Sequence, residues 1–102
     1  MENKIILLDA VQYAAGAVVS KILSKQPHGN VTLFAFDRGQ ELSEHSAPFD
    51  AMVHVLEGEV ELIIGGESTI ARANDFVIMP ANIPHAVKAV TRFKMLLTMI
   101  KG

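Results

Sequence analysis

The stretch Ala51-Met52-Val53-His54-Val55-Leu56-Glu57-Gly58-Glu59-Val60-Glu61-Leu62-Ile63-Ile64 alternates in character on either side of Glu57-Gly58. A period of two is the period of a strand, so Val53, Val55, Val60 and Leu62 share one face, while His54, Glu59 and Glu61 share the other with Met52 and Leu56. Glu57-Gly58 has turn chemistry. The stretch is therefore expected to form a hairpin in which Val55 faces Val60, His54 faces Glu61 and Val53 faces Leu62. The bulk of Met52 and Leu56 beside His54 implies that this second face is covered too, and a second copy of the chain is one candidate cover.

Outward from this unit the same pattern continues. Apolar runs of strand length fall at Val18–Ser24, Val31–Asp37, Leu42–Ser46, Ala51–Leu56, Glu59–Ile64, Ser68–Ala71, Phe76–Met79, Ala86–Ala89 and Arg92–Ile100. Between them lie Pro27-His28-Gly29-Asn30, Arg38-Gly39, Gly65-Gly66, Asn74-Asp75 and the segment Pro80 to Pro84, residues that suit turns for backbone reasons. Short strands at close spacing read as an all-β sandwich or barrel. Only Leu8–Ala15 has the character of a short helix, an N-terminal helical turn. No repeat and no low-complexity segment divides residues 1–102, so a single domain is expected.

The composition agrees with a packed core. Of 102 residues, 50% are hydrophobic and 20% charged, too apolar a mixture for disorder. Chains of this size bury roughly 65% of their unfolded surface. Nine Lys and Arg against eleven Asp and Glu give a net charge of −2, without the basic excess that nucleic acid or anionic membranes attract. No cysteine is present, so disulfides, thiol nucleophiles and Cys-ligated zinc are excluded, and a reducing compartment is suited. The run Ile5-Ile6-Leu7-Leu8 stops at Asp9, too short for a signal peptide or a membrane span. The expected location is cytoplasmic, with neither nucleic acid nor membrane as a partner.

Histidine is the main carrier of chemistry. His28 falls in a turn and reads as an exposed loop residue. His54 pairs with Glu61 in the expected hairpin and is held as a reserve site residue, since a bulge would turn it to the other face. His45 and His85 each stand at a strand edge beside a Pro-containing turn, forty residues apart. Two imidazoles from neighbouring strands suit Zn²⁺, Ni²⁺, Mn²⁺, Fe²⁺ or Cu²⁺ with water at the open positions. They equally suit a hydrogen-bonded pair in the polar end of a barrel.

From Gly39 to about Ala89 the order of residues resembles the cupins, small double-stranded β-helix (jelly-roll) barrels. Their first motif, Gly, five residues, His-x-His, three or four residues, Glu, six residues, Gly, aligns with Gly39, His45-Ser46-Ala47, Ala51 and Gly58. Their second, Gly, five residues, Pro-x-Gly, two residues, His, three residues, Asn, aligns with Asn74, Pro80-Ala81-Asn82, His85 and Ala89. Asn at the two glycine positions is compatible with the turns, because Asn tolerates the left-handed backbone best among the other residues.

The resemblance implies an all-β cupin-like barrel, a homodimer, and a metal held in the family by three His and one Glu. Of those four positions only His45 and His85 carry over; Ala47 and Ala51 cannot coordinate. Asp50 precedes Ala51 and would reach an ion only across an irregular strand. The two missing side chains leave space for a small oxygenated metabolite to complete the shell of a divalent ion acting as a Lewis acid. Pocket walls are expected from Leu33, Val53, Val55, Leu62, Met79 and Phe93. The alternatives are a metal-free binding or sensing module, in which both imidazoles hydrogen-bond a ligand, and a subunit that serves assembly alone. Barrels of this kind host many chemistries, so the fold selects no reaction or substrate.

Overall fold

The computed structural model describes residues 3–101. Its elements are a one-turn helix α1 (Leu7–Ala10) and the strands β1 (Val18–Gln26), β2 (Gly29–Phe36), β3 (Glu41–His45), β4 (Asp50–Glu57), β5 (Glu59–Ile64), β6 (Glu67–Arg72), β7 (Phe76–Met79), β8 (His85–Ala89) and β9 (Phe93–Ile100). They form two antiparallel sheets. One runs β1-β2-β9-β4-β7 and the other β3-β8-β5-β6. Among the described residues no helix is long and apolar enough to cross a membrane.

The sheets face each other across one apolar core. Phe36, Val53, Val55, Val60, Leu62, Val87, Phe93 and Met95 are buried there with Ala51, Ala71 and Met79. Phe36 and Phe93 stack at 4.6 Å between ring centroids, a pairing that adds to the burial of their area.

The hairpin expected over residues 51–64 does not form. β4 pairs with β9 and β7, whereas β5 pairs with β6 and β8. The chain passes from one sheet to the other at Gly58, whose φ of +81° and backbone contact with Arg92 turn the strand out of its own plane. Val53, Val55, Val60 and Leu62 still share the core, because the inner faces of two facing sheets present the alternation that one hairpin face would. His54 lies half-buried opposite Phe76 and Leu96 rather than Glu61. Glu61 instead accepts a hydrogen bond from Ser68, and Glu59 pairs with Arg72.

The expected helix over Leu8–Ala15 is confined to Leu7–Ala10. Val11 is extended and buried against Leu33 and Ala35, on the outer face of the five-stranded sheet. Burying that side chain outweighs continuing a helix of weak intrinsic stability. Lys94 fastens this N-terminal segment: it is 5% exposed, donates to the Leu8 carbonyl oxygen and lies 5.0 Å from the centre of the Tyr13 ring. Tyr13 in turn donates its hydroxyl to Glu57.

Asn74 and Asn82 adopt φ of 74° and 65°, the left-handed conformation expected at these turns. Asn82 donates its backbone N–H to the Ala47 carbonyl, and Asp50 accepts from the Ala81 N–H. The loop leading to His85 is thereby pinned against the loop that follows His45.

Candidate functional site

His45 and His85 are direct cross-strand partners at one end of the four-stranded sheet, on β3 and β8. Further along the same pair, Leu42 stands opposite Val87. Leu42 and His45 are three residues apart, whereas Val87 and His85 are two apart, so β3 carries one extra residue. Strict alternation would turn His45 away from Leu42's face. The register shift between Leu42 and His45 absorbs the odd residue and brings both imidazoles to the same cavity.

The two rings meet edge to face, with centroids 4.5 Å apart and planes inclined by 69°. His45 Nδ1 lies 2.7 Å from the Ser43 carbonyl oxygen, and His85 Nδ1 lies 3.2 Å from the Ile83 carbonyl oxygen. A carbonyl oxygen only accepts, so each Nδ1 carries the hydrogen in these contacts, and the neutral form of either ring has its lone pair on Nε2. His85 is buried and His45 exposed. Burial pushes the His85 pKa down from 6.5, and the neighbouring His45 acts in the same direction, against the opposing pull of the Ile83 carbonyl. The inner imidazole is thus held neutral, the form that binds metals or accepts a hydrogen bond.

The cavity before these rings lies between the sheets and is otherwise apolar. Leu42, Ala47, Ala51, Val87 and Leu97 line it together with Met79, Met95 and Met99. It offers about 40 Å³ to the centres of water-sized groups, where one water needs about 10–15 Å³. An ion with one or two small ligands fits this space, as does the tip of a larger molecule entering beside His45.

Of the six expected wall residues, Met79 lines the cavity. Val53, Val55, Leu62 and Phe93 are fully buried in the closed core beyond it. Leu33 belongs to the opposite face of its sheet, under the N-terminal segment. Both faces of β2 are apolar, and Phe34 and Phe36 take the inner one. Asp50 is exposed and holds the Ala81 N–H outside the cavity, while His54 faces away with Met52. Among the described residues no third His, Cys, Asp or Glu joins the pair as a metal-holding group. Leu42, Val87, Met95, Leu97 and Met99 are wall residues outside the expected set, the last three from β9. The odd-numbered alternation of these β9 residues with Phe93 carries the sequence signal, masked by Leu96 and Ile100 on the other face.

Two facing antiparallel sheets, with a histidine pair at the open end of their shared core, define a cupin-type barrel. Residues 32–101 match the cupin domain, and the chain belongs to the cupin family. It is similar to a conserved protein of unknown function from Streptococcus pyogenes, with 36% identity, TM-score 0.94, and coverage of 100% of this chain and 90% of that one. It is also similar to a cupin 2 conserved barrel domain protein from Leptotrichia buccalis, with 41% identity and TM-score 0.90 over 93% of this chain but 46% of that one. A cupin superfamily protein from Desulfitobacterium hafniense shares the fold at 24% identity, with TM-score 0.93 and coverage of 100% and 94% of the two chains. No curated protein matches the chain. The cupin fold supports a general role in small-molecule binding or enzymatic chemistry.

Proposed function

We propose that this barrel binds a divalent transition metal through Nε2 of His45 and His85, with a small oxygenated metabolite and water completing the shell. The observation that carries the reading is the pair itself: directly opposed rings, 4.5 Å apart, each with its Nδ1–H committed to a backbone carbonyl. Metal-ligating histidines are usually fixed in this way, with the outer nitrogen donating and the inner one free. The donor chemistry fits two of the positions an ion needs. Ala47 and Ala51 fill none, which leaves room for the ligand. A bound ion would polarise an oxygen of that ligand as a Lewis acid. This chain's own residues would orient the ligand against apolar walls and keep His85 neutral.

The absence of a carboxylate among the cavity-lining residues favours a second reading, a metal-free binding module. Both Nε2 atoms would then accept hydrogen bonds from a hydroxyl or amine donor. One experiment separates the two: elemental analysis of tag-free protein beside a His45→Ala, His85→Ala double variant, with melting curves in Zn²⁺, Ni²⁺, Mn²⁺, Fe²⁺ and Cu²⁺. The metal reading predicts bound metal and a raised Tm in the parent alone, since binding to the native state stabilises it by mass action. Negligible metal and unmoved melting in both proteins would leave the metal-free reading.

The proposal includes a homodimer formed through the outer face of the five-stranded sheet. Phe76 and Ile78 on its edge strand β7 are 58% and 56% exposed, beside Met52 and His54 in register. A cytoplasmic location, suited to a chain without cysteine, belongs to the same proposal.

A further inference from the structure

We infer that the cavity is suited to monovalent copper, Cu(I), with the thioethers of Met79 and Met99 serving in place of the missing carboxylate. The inference rests on the reading that His45 and His85 bind a metal. It goes further by naming the ion and two more ligands.

The strand register carries it. Ala51 on β4 is paired with Met99 on β9 and with Met79 on β7, so the three residues form one row across the sheet. Side chains opposed in this way start about 4.5–5.5 Å apart at Cβ. The side chain of Ala51 ends at that atom. Met79 and Met99 therefore flank a gap, and both line the same cavity as the two imidazoles. Met is unbranched, with three rotatable bonds and a polarisable sulfur, so it can turn that sulfur towards an ion on either side of the gap.

Charge and softness select the ion. Imidazoles and thioethers contribute no negative charge as ligands, and no acidic residue lines the cavity. With protein ligands alone Cu(I) brings one uncompensated charge among these apolar walls, whereas a dication brings two and relies on the added oxygen ligand and water to offset them, and burying unpaired charge is costly. Thioether donors select Cu(I) among the common metals, and imidazole suits copper as well. Binding is ligand exchange alone. Copper enters and leaves as Cu(I), no electron is transferred, and each imidazole binds through a lone pair it already carries.

The bland alternative, that the methionines only fill space, is tested by exchanging them for Leu, a swap that keeps volume and removes sulfur. Tag-free protein is titrated anaerobically with Cu(I) against bicinchoninate, and separately with Zn²⁺, for the parent, a Met79→Leu, Met99→Leu variant, and a His45→Ala, His85→Ala variant. The expected result is one Cu(I) per chain in the parent and affinity at least roughly ten-fold weaker in the Leu variant, a loss of the size that altering a metal site brings. Zn²⁺ affinity should be unchanged in the Leu variant, and neither ion should bind the Ala variant. X-ray absorption at the copper edge should detect sulfur bound to copper in the parent. Equal Cu(I) affinity in the Leu variant, or no sulfur at the metal, overturns the copper assignment while Zn²⁺ binding keeps the histidine reading intact. Binding of neither ion by the parent ends both. If the double Leu variant does not fold, Met99→Leu alone, at a half-buried position, and the parent's absorption spectrum decide the matter.

Discussion

Gly58 sits directly against Arg92: a Cβ placed on it would lie 2.1 Å from the Arg92 carbonyl oxygen and 2.7 Å from the Phe93 Cβ. This contact is the corner at which the chain leaves one sheet and enters the other. Its φ of +81° is also a conformation that side chains rarely adopt.

Gly58→Ala should therefore be severely destabilising. The left-handed backbone costs about 1–2 kcal/mol and overpacking about 1–3 kcal/mol more. A Tm lower by at least ~8 °C in a scanning melt is the expected outcome for a domain of this size. An unchanged Tm would mean that the corner relaxes freely.

Lys94 is the buried cation that ties the N-terminal segment to β9. Lys94→Ala should cost about 2 kcal/mol, the scale of a charged hydrogen bond lost from a dry site. Hydrogen exchange should show faster exchange at Leu7–Ala10 while the sheets remain protected. Uniform acceleration throughout the chain would assign Lys94 to global stability instead.

His85 and Asp37 each contribute to the acid response. The His85 pKa is lowered on folding, first by burial, so the unfolded chain binds a proton more readily. Stability is full above about pH 6.5, the ordinary value, and declines as pH falls below it towards the lowered folded value. Asp37 is held down at about 2 against an ordinary 3.8, first by the Gly16 N–H and then by Arg92. Its contribution is present above pH 3.8 and is lost as pH falls towards 2. Urea midpoints across this range should show both limbs, and His85→Asn should remove the upper one. An upper limb retained in that variant would contradict the assignment.

The exposed pair Phe76 and Ile78 should lie within an interface. Light scattering should give twice the chain mass at micromolar concentration, and Phe76→Lys should shift it to the monomer. A monomeric parent would remove the dimer from the account.

Strand identity was largely legible, because each strand carries apolar residues between residues of turn chemistry. The turns at Asn74 and Asn82 were legible for the same reason, since Asn tolerates the left-handed backbone they adopt. Pairing was not. The alternation over 51–64 is the same whether β4 and β5 form a hairpin or face each other across a core, and the contact that decides the matter, Gly58 with Arg92, joins residues distant in sequence. The side of Leu33 is not legible because both faces of β2 are apolar, so the pattern does not say which one the N-terminal segment covers. The histidine pair was indicated by motif spacing, but its inward direction depends on a one-residue shift in β3 that no composition signals. The methionine row exists only through the register of three strands distant in sequence.

The central claim is that His45 and His85 present two free Nε2 lone pairs to one ion. Nitrogen-detected imidazole spectra of ¹⁵N-labelled protein, recorded before and after one equivalent of Zn²⁺, test it most directly. The account predicts the Nδ1–H tautomer for both rings, with their Nε2 signals moving together on addition of metal while those of His28 and His54 stay still. A hydrogen on Nε2 of either ring, or signals unmoved by saturating metal, would contradict it.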